Sequence, residues 1–205
     1  MNEPWLDEWC QKASRGQCRL MFDIGANAGE WSDWGRKHFA QVIAVDADKR
    51  AFGQLEKRFK KVDAVTPVYA AVDHSAGHAA VYRRESPDQT SLLQVHPIGG
   101  VGQEAAPVTN VDFVEAVTLD DLAVKYGAPD FVKVDVEGAE GHVLAGATAS
   151  CFRHCRWLIE IHDRSREVGE QLERMGIDTV EIIKHPMPDA HPQHFWVYME
   201  PGDGR

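Results

Sequence analysis

The run Asp23-Ile24-Gly25-Ala26-Asn27-Ala28-Gly29 places an acid and two glycines around a sharp change of chain direction, after the apolar stretch Leu20-Met21-Phe22. Small residues there let backbone approach a ligand with no Cβ in the way. Roughly 20 residues on, Asp46 closes the next apolar stretch, Val42–Val45, where a carboxylate can accept hydrogen bonds from both hydroxyls of a ribose. Together these features describe a site for an adenosine-containing cofactor. Gly25, Ala26, Asn27, Gly29, Asp46 and Ala47 would hold it, with Val72 and Asp73 on the adenine side.

Glycine spacing narrows the cofactor. A dinucleotide fingerprint is G-x-G-x-x-G, whose turn cradles a pyrophosphate. Here the pattern is D-x-G-x-x-x-G, with no middle glycine, and Asp23 would oppose a pyrophosphate. Asp23 suits the ammonium and sulfonium of S-adenosylmethionine (SAM). The bland alternative is an ordinary strand-to-helix turn.

A second set of chemical residues lies downstream: Asp135, Glu137, Glu140, Glu160 and His162. Methyl transfer from a sulfonium is an in-line displacement in which positioning matters most. A hydroxyl acceptor must also lose a proton, to a base or through a metal ion. Asp135, Glu160 and His162 are the candidates for that work, and the same three could hold a divalent cation such as magnesium. Glu137 and Glu140 could instead serve only the N-terminus of the helix after them. Lys133 reads as a structural ion pair or a substrate contact. The histidines of His185–His194 read as a proline-stiffened loop or as a source of a base. Trp31 and Trp34 read as helix packing, with Trp31 near enough to the glycine loop to cover a cofactor.

Positioning these residues requires strands that end at the same edge. Short apolar runs alternate with helix-period segments along most of the chain. Strands are expected at 20–24, 42–45, 65–72 (interrupted by Pro67), 79–82, 113–117, 131–134, 157–161, 179–183 and 195–199. Helices are expected at 28–39, around Phe52, Leu55 and Phe59, from Thr118, at 139–147, and through Val168, Leu172 and Met175 to Gly176. Thr118 and Asp121 have the spacing of a capping box. Alternating strands and helices imply an α/β doubly wound, mostly parallel sheet, with ligands at the carboxyl ends of its strands.

The 205 residues suggest a single domain spanning 1–205, with a helical, Trp-bearing extension at 1–18 and a variable hairpin and loop region at 77–117. Within that region Ser86–Pro107 is rich in Gly, Pro and Ser and reads as a mobile cover or substrate loop. The net charge of −10 disfavours nucleic acid and anionic lipid as partners. No apolar run approaches the ~20 residues of a membrane helix, and no signal-like segment opens the chain. The four cysteines, Cys10, Cys18, Cys151 and Cys155, read as reduced thiols of a cytoplasmic protein. Their spacing is not the usual C-x2-C of a zinc site.

The blocks Phe22–Gly29, Val117–Leu122, Asp130–Glu140 (with Lys133-Val134-Asp135-Val136-Glu137-Gly138-Ala139-Glu140 its most specific part), Val143–Ala147 and Ile159–His162 resemble the FkbM family of SAM-dependent methyltransferases. The resemblance runs from about Met21 to Glu160. It implies a Rossmann-like, seven-stranded fold whose last strand is antiparallel, and O-methylation of a small molecule or glycan. The histidine-bearing C-terminal segment has no counterpart in the family pattern. Three rivals stand beside it: a SAM-binding sensor or scaffold without acceptor chemistry, an NAD-dependent oxidoreductase, and an RNA methyltransferase. Neither the acceptor nor the oligomeric state can be read from the residues.

Overall fold

Leu20-Met21-Phe22-Asp23-Ile24 has apolar side chains on both faces, as do Val42–Val45 and Phe131–Val134, so each strand must be covered on both sides. The computed structural model, which describes residues 11–15, 18–85, 90–93, 107–162, 165–177, 181–184 and 194–200, covers them in that way. In chain order the elements are β1 (Leu20–Ile24), α1 (Glu30–Gly35), β2 (Gln41–Asp46), α2 (Lys49–Phe59), β3 (Val65–Tyr69), β4 (Ala71–Val72), β5 (Gly77–Arg84), β6 (Val108–Val117), α3 (Leu119–Tyr126), β7 (Phe131–Val134), α4 (Glu140–Ala145), a 3-10 turn (Ser150–His154), β8 (Arg156–His162), α5 (Ser165–Met175), β9 (Glu181–Lys184) and β10 (His194–Met199).

Seven strands form the main sheet in the order β3-β2-β1-β7-β8-β10-β9. Neighbours from β3 to β8 run parallel, and β10 runs antiparallel to both β8 and β9. This is the doubly wound sheet that the alternation of elements implies, with the seven strands and antiparallel last strand that the family resemblance implies. The chain winds outward from β1 through β2 and β3, then returns to β1's other side as β7. That reversal makes the carboxyl ends of β1 and β7 the switch point, where a crevice opens.

Strand alternation sorts the core into two layers. Leu20, Phe22, Ile24, Ile43, Val45, Val132, Val134, Trp157, Ile159 and Ile161 face α3, α4 and α5. Met21, Val42, Ala44, Phe131 and Leu158 face α1 and α2. Burying side chains such as Phe22, Phe131 and Trp157 contributes about 1.5–3 kcal/mol each before ordering costs. By the same period of two, Asp23 and Lys133 fall on the second layer, where Asp23 lies opposite Lys133 in register. A polar stripe therefore runs under the carboxyl end of an otherwise apolar face.

Pro67 does not interrupt the third strand. It sits within β3, opposite Ala44, and the break comes at Ala70 instead. β3 is an edge strand, so the missing proline N–H costs it no ladder bond. After the break, β4 joins a smaller three-stranded sheet, β4-β6-β5, in which β5 and β6 form an antiparallel hairpin. The helix expected over 28–39 is shorter, Glu30–Gly35, because the chain turns again before Phe39.

Thr118 Oγ1 accepts a hydrogen bond from the Asp121 amide, and the Asp121 carboxylate accepts one from the Thr118 amide, closing the capping box that orients α3. Thr118→Ala should lower stability by about 0.5–2 kcal/mol in urea denaturation, with unchanged slope. A change within error would mean that solvent satisfies those amides equally well.

Cys18 packs against the α1–α2 layer and Cys155 is buried in the other, so the sheet separates them. The described cysteines Cys18, Cys151 and Cys155 form no disulfide with one another, and burial holds the Cys155 thiol pKa well above its ordinary value. Trp5, Trp9, Cys10, His185, His191 and most of the Ser86–Pro107 loop lie outside the described residues. Among the described residues no helix is long and apolar enough to cross a membrane.

Candidate active site

β1 must turn sharply to let α1 pack on the sheet, and Gly25 makes the turn with φ +73. A Cβ on Gly25 would lie 1.7 Å from the Asp135 carbonyl oxygen, so the loops after β1 and β7 touch at this residue. Asn27 also sits at positive φ. Its amide donates to Asp46 Oδ2 at 2.7 Å, while the Asp48 amide donates to Oδ1 at 2.8 Å. Two backbone donors thus fix the carboxylate at the end of β2. Burial raises the Asp46 pKa to about 6, outweighing the lowering effect of those two amides.

Gly25, Asn27, Asp46, Ala47 and Val72 line one cleft, and Asp135 and Glu137 line it too. Its floor is the ends of β1 and β2. Thr90, Ser91 and Leu92 supply a wall from the region after β5. Ser91 Oγ donates to the Glu137 carbonyl at 2.8 Å, and Thr90 Oγ1 donates to Asp48 Oδ2 at 2.9 Å, so this segment bridges the two rims.

Other expected residues lie outside the lining. Gly29 has φ +84, and a Cβ there would meet the Phe59 ring at 2.4 Å; its task is the packing of α1 on α2. Ala26 is buried in that same layer. The Asp73 carboxylate turns toward His74 and His142. Trp31 packs against Trp34 and Trp196, with ring centroids at 5.6 and 5.9 Å.

Asp23 is fully buried beneath the cleft. Its Oδ2 accepts from Ser32 Oγ at 2.6 Å, and Lys133 Nζ stands 3.6 Å from its Oδ1. Lys133 Nζ also donates to the Gly25 carbonyl at 2.9 Å and lies 3.2 Å from Asp135 Oδ2. This one ammonium ties the loops after β1 and β7 together, so Lys133 is a structural ion-pair residue. Burial works against its charge, but Asp135, Asp23 and Glu160 outweigh it and raise its pKa. Burial raises the Asp23 pKa despite Lys133.

β8 brings Glu160 and His162 to the neighbouring position. His162 Nδ1 lies 2.9 Å from Glu140 Oε1, which also accepts from the Gly138 amide at 2.9 Å. That pairing sets the ring so that Nε2 faces Glu137 Oε2 at 3.6 Å and Glu160 Oε1 at 3.9 Å. Burial would lower the His162 pKa, but Glu140, Glu137 and Glu160 hold it well above the usual imidazole value. Burial, then repulsion from Asp135, pushes the Glu160 pKa well up. Donor atoms of Asp135, Glu137 and His162 lie within 4.8 Å of one another, a grouping that has Glu137 where the sequence suggested Glu160.

Sequence reasoning left Glu137 and Glu140 between a helix-terminus role and the site, gave no role to Asp48, and met Thr90, Ser91 and Leu92 only as part of a loop read as a mobile cover or substrate loop. Glu137 adopts φ +56, a conformation uncommon for a residue with a Cβ. Such backbone outliers cluster at functional sites. Its placement after Asp135 at a strand end was a usable signal; the wall residues were marked only by the loop composition around them.

A model of the methyltransferase FkbM domain matches residues 23–185, from the buried acid of β1 to just beyond β9. The chain belongs to the FkbM methyltransferase family. Among solved structures it is similar to an FkbM methyltransferase from Methylobacillus flagellatus, with TM-score 0.61 and 18% identity over 89% of this chain. This chain spans 43% of that protein's length. It is also similar to an rRNA methylase from Streptococcus thermophilus, with TM-score 0.55, 11% identity and 98% of each chain covered. An Aeropyrum pernix fibrillarin with natively bound SAM matches at TM-score 0.52 and 11% identity, over 91% of this chain and 68% of that one. At these identities the likenesses establish the methyltransferase fold. No curated protein matches the sequence significantly. In this FkbM-family chain, the matched segment contains both the β1–β2 end of the cleft and its acidic end.

Proposed function

We propose that this protein is a SAM-dependent methyltransferase acting on a hydroxyl of a small molecule or glycan. The observation that carries it is the single cleft joining Gly25, Asn27 and Asp46 to the acids Asp135 and Glu137. The residues fit the cofactor: the Gly25 turn has no Cβ, Asp46 keeps lone pairs for ribose hydroxyls, and the acidic end suits a sulfonium and an ammonium. Gly25, Asn27, Asp46, Ala47 and Val72 would hold SAM, which supplies an electrophilic methyl group.

Asp135 is half-buried at the cleft wall and would receive the acceptor proton as the oxygen attacks. With SAM bound, the methyl group would pass to the acceptor oxygen as its bond to sulfur is given up, and the Asp135 carboxylate would hold the proton released. Glu160 and His162 stand behind, and with Glu137 they set the charge that Asp135 meets. Glu140 orients His162. A magnesium ion on Asp135, Glu137 and His162 is the alternative way to activate the hydroxyl. EDTA separates the two, since base catalysis by the carboxylates alone survives chelation.

Isothermal titration with SAM and NADH tests the cofactor; tight NADH binding without SAM binding would install an oxidoreductase. Labelled SAM with a cell extract then identifies the acceptor, and SAM binding with no label transfer would favour a sensor. The net charge of −10 argues against an RNA acceptor. RNA binding that weakens steeply with salt would reverse that.

Asp46→Ala should weaken SAM binding by about 1–3 kcal/mol. With a pKa of about 6, the native carboxylate gains a proton as pH falls from 7.5 to 5.5 and loses acceptor capacity. SAM affinity of the native protein should fall over that range, and in Asp46→Ala this fall should flatten. Equal affinity in both proteins would remove Asp46 from the site.

A further inference from the structure

Asp73 follows Val72 at the end of β4, but its carboxylate faces away from the cleft lining, toward α4. Its Oδ1 has three nitrogen neighbours: the His74 amide at 2.7 Å, His74 Nδ1 at 2.7 Å and His142 Nδ1 at 3.2 Å. One carboxylate oxygen offers about two lone-pair directions, so three donors over-subscribe it. The two imidazole rings meet at 88° with centroids 5.6 Å apart, converging on the acid rather than stacking. One donor atom from each of Asp73, His74 and His142 falls within 4.8 Å of the other two.

We propose that Asp73, His74 and His142 form a binding site for a divalent transition-metal ion of the zinc class, separate from the catalytic cleft. Donors on a four-coordinate zinc with bonds of ~2.0–2.1 Å stand about 3.3 Å apart. The present separations of 2.7 and 3.2 Å need to open only slightly to admit an ion. An ion would also draw the imidazole nitrogens onto itself as lone-pair donors and leave the oxygen fewer protons to accept. Two imidazole nitrogens and one carboxylate select zinc, nickel or cobalt over magnesium.

The ligands stand on a defined frame. The Asp73 amide donates to the Val117 carbonyl at 3.0 Å, and the Asp73 carbonyl packs where a Cβ on Gly146 would come within 2.6 Å. His142 rides on α4, which approaches α5 closely at Gly141, where a Cβ would stand 3.1 Å from that of Glu167. The His74 and His142 side chains are 58% and 40% exposed, which gives an ion a route in and leaves the remaining coordination position to water. Binding would clamp the end of β4, whose Val72 lines the cleft, to α4.

Titration of the purified protein with Zn²⁺, and with Co²⁺ followed by its visible absorption, tests the site. Binding of one ion that weakens at least about tenfold in both His74→Ala and His142→Ala, and persists in Asp135→Asn, is the expected result. Both rings are partly exposed, so thermal melting should show the histidine variants folded without metal, with the native protein alone gaining melting temperature from Zn²⁺. Native protein with no Zn²⁺ binding below about 100 μM would overturn the proposal. So would histidine variants that keep native affinity, or loss of the ion in Asp135→Asn, which would place it in the cleft. Displacement of Zn²⁺ by equimolar Mg²⁺ would refute the assigned ion class.

Discussion

Gly25→Ala should abolish measurable SAM binding and destabilise the fold by about 2–6 kcal/mol, the sum of left-handed strain and overpacking. The new methyl would stand 1.7 Å from the Asp135 carbonyl oxygen, which is backbone and cannot rotate away. Relief requires the loops after β1 and β7 to separate. That movement would also pull the Gly25 carbonyl from Lys133 Nζ, now 2.9 Å away, and loosen its hold on Asp23 and Asp135. Gly29→Ala supplies the contrast. Its clash is with the Phe59 and Leu55 side chains, which are not among the cleft lining, so it should cost stability while the folded fraction still binds SAM. Calorimetric titration alongside urea denaturation reads both quantities. Native SAM affinity in Gly25→Ala would show that the two loops do not meet as described.

Asp135→Asn should reduce turnover about 10²–10⁴-fold, the usual scale of a lost general base, while SAM dissociation constants stay within a few-fold. Asparagine keeps an oxygen for Lys133 Nζ, which stands 3.2 Å from Asp135 Oδ2, so the ammonium retains a partner and the loop its course. The amide has no affinity for the acceptor's proton. Measuring kcat and KM with the identified acceptor, and SAM affinity separately, divides the two roles. Parallel losses in turnover and SAM affinity would make Asp135 a cofactor residue. Turnover near the native rate would shift the base to Glu137, the acid beside Asp135 at that end of the cleft.

Much of this architecture was legible before any coordinates. β1, β2, β7 and β8 fall within two residues of where apolar runs put them, because strands buried on both faces leave an unbroken apolar signature. The capping box at Thr118 was legible for a similar reason, being a contact three residues long. Strand ends then pointed to Asp46 and Asp135, and both line the cleft. Three expected residues of the glycine loop, Asp23, Ala26 and Gly29, lie outside the cleft lining. Asp23 is the fourth residue of β1, and the pleat turns its carboxylate down onto Lys133. Gly29 lies a helical turn's start away, and what it must avoid is an aromatic ring on α2.

The wall of the cleft was legible only as a loop between strands, and the tuning of its acids had no trace in the chain. Ser91 meets Glu137 across 46 positions, and His142 meets Asp73 across 69. Glu140 looked like a helix-terminus acid; burial and the arrival of His162 from β8 turned it into the partner that sets an imidazole's orientation. Sequence alone determined the order of elements, the layers of the core and the strand ends that carry chemistry, since these follow from local periodicity and chain connectivity. Tertiary structure alone decided which carboxylates face the cleft, which are paired beneath it and where protons reside. Those depend on desolvation and on charges only a few ångströms away, and distances of that kind exist only once the strands are side by side.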